Sequence, residues 1–168
     1  AALLPSAQAD LRLPALAERR KKFDLAVQVY EKIIELYPDR AEAYSSFNAE
    51  ARVLREDMKD PAAAMKVLGR LADKYKGERA VEALFLAAEI ARKDLKDAPA
   101  ETQVYDRIVA EYPADPAAPR ALFAAGEALE KIKDYEKARD YYSMIVGKYA
   151  EDPLSKKAQK RIDGLLAR

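Results

Sequence analysis

The feature that most constrains this chain is an internal repeat. Tyr37, Tyr75, Tyr112 and Tyr149 are separated by 38, 37 and 37 residues, and Lys59 with Asp60, Lys96 with Asp97 and Lys133 with Asp134 recur at an interval of 37. Two unrelated landmarks on one period describe copies of a single supersecondary unit, and a period of this length is that of a stacked helical array.

The clearest copy runs from Pro119 to Ala150 and divides at Lys133 and Asp134. Before the division, Leu122, Ala125, Gly126 and Leu129 fall on one face of an α-helix; after it, Ala138, Tyr142 and Ile145 do the same. Glu127, Glu130, Lys137 and Asp140 lie elsewhere on each cylinder. Two such helices cannot bury both apolar stripes on each other, so the unit needs neighbours.

The other copies vary in identifiable ways. Phe47, Ala51 and Leu54 begin the second and Ala64, Leu68 and Leu71 complete it; Leu84, Ala87, Ala88 and Ala91 begin the third, completed by Tyr105 and Ile108. Both carry one more residue than the fourth before the lysine-aspartate turn. The first has a clear second helix in Ala26, Tyr30 and Ile33, ending at Tyr37 and Pro38, but Pro14 falls in the middle of its first helix and predicts a short, kinked or frayed one.

The punctuation agrees. Asp60, Asp97 and Asp134 stand where a side chain can cap the next helix, and Pro61 suits the first helical position. Pro38, Pro113 and Pro153 follow helix ends. No alternation marks strands, so the expected fold is all-α: helical hairpins over about 10–38, 41–76, 80–113 and 117–150 in a single domain spanning 1–168. A last helix, about 154–167, carries Ala158, Ile162, Leu165 and Leu166 on one face and Lys156, Lys157, Lys160 and Arg161 elsewhere. It reads as a cap on the open end of the stack; the competing reading, a basic helix on a membrane surface, lacks an aromatic anchor.

Composition narrows the function. The 30 basic and 29 acidic residues nearly cancel, which argues against nucleic acid as a partner. No apolar run reaches the roughly 20 residues of a spanning helix, so direct membrane insertion is not expected. Cysteine and histidine are both absent, which removes thiolate nucleophiles, the usual general base and the commonest transition-metal ligands. The opening residues, with small Ala7 and Ala9, read either as the tail of a signal peptide or as the end of a preceding helix and a loop.

Together, Leu122, Ala125, Gly126, Leu129, Tyr135, Ala138, Tyr142 and Ile145 resemble the signature of the tetratricopeptide repeat, and the resemblance covers about residues 20–153. It implies a right-handed superhelical stack of about four hairpins, with Gly126 and Ala138 where helices cross closely. Glu50 stands in the place of Ala125 and Glu101 in that of Ala138, and the unit exceeds the usual 34 residues. The helix ending at Glu111, Tyr112 and Pro113 resembles that of bacterial cell-envelope proteins with such repeats, which implies the periplasm or envelope rather than the cytoplasm.

The resemblance also implies a function: a non-catalytic scaffold or adaptor that holds a partner peptide or helix on a concave wall lined by the first helices. On that wall it places Asn48, Arg52 and Arg55; Phe85, Glu89 and Arg92; and Phe123, Glu127 and Glu130, with the two phenylalanines as exposed anchors. The plainer reading has Phe85 and Phe123 filling gaps between hairpins and Arg52 with Glu89 forming a solvated pair. A clamp for carboxylate-ended chaperone tails does not fit, since only Asn48 partly suits it and Glu89 and Glu127 would repel the tail. The alternatives are a self-associating structural array and, behind it, an enzyme using carboxylates such as Glu127 and Glu130 or Glu151 and Asp152. No converging pocket motif, calcium loop or glycine-rich phosphate loop supports catalysis, and no cofactor or metal is expected.

Overall fold

The computed structural model describes residues 23–167. The expected first helix of the first hairpin, Pro14 and the signal-like Ala7 and Ala9 lie outside the described residues. Within them the chain forms α1 (Phe23–Leu36), α2 (Ala41–Arg52), α3 (Pro61–Lys74), α4 (Glu78–Ile90), α5 (Ala98–Glu111), α6 (Ala117–Lys131), α7 (Tyr135–Lys148) and α8 (Pro153–Leu166), with no strand among the described residues. The protein is all-α, built of adjacent helical pairs.

The residues gather into two compact units that divide after Tyr75. In the first, α2 packs against both α1 and α3; in the second, α4 through α8 each pack on the next, and α8 also reaches α6. The buried residues are the stripes of the repeat: Ala26, Tyr30 and Ile33 on α1, Phe47 and Ala51 on α2, Ala64, Leu68 and Leu71 on α3. In the second unit Leu84, Ala87 and Ala88 on α4 and Tyr105 and Ile108 on α5 are buried, while Leu122, Leu129, Ala138, Tyr142 and Ile145 form a core closed by Ala158 and Leu165 of α8.

The lysine-aspartate landmark has a definite backbone geometry. Lys59, Lys96 and Lys133 adopt left-handed conformations, φ 57°, 54° and 64°, a helix ending usually taken by glycine. This turns the following aspartate back on the helix just finished: Asp60 donates its N–H to the Leu54 carbonyl, Asp97 to Ala91 and Asp134 to Leu129, at 2.8, 3.0 and 3.0 Å. The same aspartates cap the next helix, accepting at Oδ1 from the amides of Ala63, Ala100 and Lys137. One lysine-aspartate pair thus ends a helix and starts the next.

The extra residue in the second and third copies is absorbed without disturbing that junction. α2 and α4 each continue into a wider π turn, Val53–Asp57 and Ala91–Leu95, whereas α6 runs directly to its end. A one-residue insertion is the usual origin of such a turn.

Gly126 has a more local task than letting two helix backbones approach. A Cβ there would lie 2.6 Å from the Tyr142 ring, so the missing side chain is the seat of that tyrosine.

Candidate functional site

Unit by unit, the nine residues placed on the inner wall meet different surroundings. On α2, Asn48 is half-buried and donates from Nδ2 to the Tyr44 carbonyl at 3.0 Å; Arg52 approaches Asp57 at 3.7 Å. Arg55, also half-buried, sits in the π turn that follows. On α4, Glu89 pairs with Lys93 at 3.2 Å and Arg92 faces Glu101 at 4.0 Å.

The two phenylalanines are half-buried, between the exposed-anchor and the gap-filling readings. Phe85 lies 5.9 Å from the Tyr105 ring and Phe123 5.3 Å from the Tyr142 ring, each against the tyrosine of its own hairpin. Phe123 belongs to the core of its hairpin. The ring of Phe85 keeps one side toward a cleft.

That cleft, of about 580 Å³, lies between the N-terminal half of α4 and the start of α6. Glu78, Val81, Glu82 and Phe85 form its α4 wall at spacings of three, four and seven residues, a single helical face. Asp115, Pro116, Ala117 and Arg120 form the opposite wall. Asp115 accepts from the Ala117 amide at 2.8 Å at the start of α6. Arg120 lays its guanidinium 5.1 Å above the Phe85 ring, a cation–π contact that closes part of the floor. Glu78 and Glu82 are exposed.

Of the nine expected residues, Phe85 is the one that lines this cleft; Glu127 and Glu130 instead line a smaller polar pocket of about 280 Å³ with Lys131 and Arg161. There Arg161 of α8 reaches Glu127 at 3.2 Å and Glu130 at 3.6 Å, and Glu130 accepts a 2.6 Å hydrogen bond from the Tyr142 hydroxyl. Burial, then the hydrogen bond and the adjacent Glu130 charge, push the Tyr142 hydroxyl well above the usual tyrosine range. This cluster ties α8 to the body of the second unit.

Glu78, Glu82, Asp115 and Arg120 line the cleft and are not among the nine residues the sequence pointed to; the sequence signal for its α4 side is that Glu78, Val81, Glu82 and Phe85 share one helical face. The two departures from the repeat pattern carry a second lesson: Glu50 and Glu101 are the buried carboxylates of the described residues, 1% and 4% exposed. Glu50 Oε1 faces Arg70 at 3.8 Å while its Oε2 is buried without a hydrogen-bond partner. Burial pushes the Glu50 carboxyl up to about 7; Arg70 opposes the shift and Glu31 adds to it. Burial likewise raises Glu101, which Arg92 and the hydrogen bond from Tyr105 at 3.3 Å partly offset.

Models of the tetratricopeptide repeat match residues 8–40, 49–116 and 114–153, more than half of the chain. The chain belongs to the tetratricopeptide-repeat family. Among solved structures it is similar to MamA, with 14% identity, a TM-score of 0.52, 96% of this chain covered and 86% of that one. It is also similar to the nearly identical TPR-like repeats of a Podosopora anserina kinesin light chain, with 12% identity, a TM-score of 0.55, 97% of this chain covered and 87% of that one. These likenesses concern the fold. No curated protein matches the sequence. Tetratricopeptide repeats are protein-interaction scaffolds, and that is the class of function the family gives this chain. Among the described residues no helix is long and apolar enough to cross a membrane.

Proposed function

We propose that this tetratricopeptide-repeat protein is a non-catalytic scaffold that holds an extended segment of another protein in the cleft between α4 and α6. The observation that carries this reading is the cleft's construction: a half-buried aromatic floor at Phe85, walls fixed by a helix face and a capped helix start, and charged residues at the rim. An apolar floor with a few placed polar groups is the usual form of a binding site, and aromatic residues dominate interface energies. The bacterial envelope is the compartment we propose for it, on the strength of the helix ending at Tyr112 and Pro113.

Selection of binders from a random peptide display library tests the reading. Enriched peptides should lose binding at least about tenfold on Phe85→Ala and keep it on Asn48→Ala, since loss of an interface aromatic costs more than about 1.4 kcal/mol. Equal binding by both variants removes the cleft from the account. Sedimentation of the same preparations addresses the self-associating array: a monomer across concentrations supports a scaffold for other proteins, and concentration-dependent growth abolished by Phe85→Ala would make a second copy the occupant.

A further inference from the structure

The rim of the cleft has a sign. Three of its lining residues, Glu78, Glu82 and Asp115, are carboxylates and one, Arg120, is a cation. Arg120 is engaged with the Phe85 ring, Asp115 spends one oxygen on the Ala117 amide, and among the described residues no hydrogen bond or ion pair engages Glu78 or Glu82. Two carboxylates one helical turn apart and without a direct ionic partner repel each other, and a ligand cation between them relieves that repulsion. The same cleft is lined by the half-buried Phe85 and the exposed Pro116, apolar surface on which an aliphatic stem can rest, backed by the buried Val81 and Ala117.

From this we infer that the occupant is a basic segment of a partner protein: an extended stretch in which a lysine or arginine stands next to an apolar residue. The inference rests on the scaffold reading above and adds the partner's chemistry to it. Lysine and arginine are the side chains that combine a buried hydrocarbon stem with a charged head, which is the profile of a cleft with an apolar floor and an acidic rim. Arg120 already displays the mode from within, its guanidinium over the Phe85 ring. An acidic segment meets the carboxylates and is repelled; a neutral apolar segment gains the floor and leaves the rim unneutralised.

The test compares three labelled, end-blocked hexapeptides, alternating leucine with lysine, serine or glutamate, by fluorescence anisotropy on the full chain. Each is measured on the native protein, on Glu78→Gln with Glu82→Gln, and on Phe85→Ala. The lysine peptide is expected to bind about tenfold tighter than the serine peptide at low salt, the sum of two or three exposed charge contacts, and the glutamate peptide not to bind. The double glutamine variant, altered at exposed positions, should erase the preference while leaving serine-peptide binding unchanged. Equal affinity for the lysine and serine peptides, with both lost on Phe85→Ala, overturns the basic-partner inference and leaves the cleft standing. A lysine preference that persists in the double variant overturns it as well. Binding of all three that ignores Phe85→Ala overturns the cleft reading itself.

Discussion

The two compact units use one junction and satisfy their polar groups differently. In the unit ending at Tyr75, Glu50 is enclosed between α1 and α3 with one oxygen facing Arg70 and the other unpartnered. In the unit beginning at Lys76, Glu130 sits at the core's edge and receives both the Tyr142 hydroxyl and Arg161. The links between hairpins differ in the same sense. Inside the second unit, Asp115 and Asp152 fold back to the carbonyls of Tyr112 and Tyr149 and cap α6 and α8, and the Tyr149 hydroxyl bonds to the Pro113 carbonyl at 2.9 Å. At the division between units, α4 starts instead at Gly77, with φ 66°, ψ −141° and no side-chain cap. A repeat can therefore keep its period while its copies differ in how they satisfy polar groups and charge.

The largest expected effect belongs to Glu50. Burial holds its folded-state pKa near 7 against an ordinary 4.5, so the folded chain keeps the proton to higher pH than the unfolded chain does. Ionisation then works against folding: this contribution to stability is fully favourable below about 4.5, declines as pH rises, and levels off above about 7. Glu50→Gln should raise stability at pH 8 by up to about 3 kcal/mol and flatten the decline between pH 5 and 7 in urea melts, at about 1.4 kcal/mol per pKa unit. An unchanged pH profile would mean that Glu50 is solvated or better paired than the geometry shows.

Gly77→Ala follows, with a loss of about 2 kcal/mol. A Cβ at Gly77 meets nothing within 4 Å, so the cost is wholly conformational, and Gly147→Ala, also in open space but inside α7, should instead gain up to about 1 kcal/mol. Equal effects at the two positions would mean that the positive-φ backbone at Gly77 carries no conformational cost. Tyr142→Phe should cost about 1.5 kcal/mol by removing the charge-assisted bond to Glu130, measured by thermal unfolding. The smallest effect is a gain of about 1 kcal/mol for Lys133→Gly, which relieves the left-handed turn; Lys133→Val should lose stability there.

Much of this architecture was legible in the sequence because it rests on local rules. The apolar stripes and the aspartate caps are each set by residues within a turn or two of one another, and the tyrosine and lysine-aspartate landmarks repeat them along the chain. The π turns were visible as the extra residue before Lys59 and Lys96, although where a helix absorbs an insertion depends on its packing. The cleft was less legible. Glu78 and Phe85 share a helix face in the sequence, but their opposition to Asp115 and Arg120, thirty or more positions away, is a product of tertiary packing. The exposure of Phe85 and Phe123 was open in the sequence between anchor and filler, because a ring beside the stripe can lean onto the next helix's tyrosine and keep one side free.

The most direct measurement is a backbone amide NMR titration of the full chain with the lysine-leucine hexapeptide. The account predicts that the shifted amides cluster on 78–85 and 115–120, with those around Arg161 undisturbed. Shifts concentrated at Glu127, Glu130 and Arg161, or spread along the helices without focus at Phe85, would contradict it.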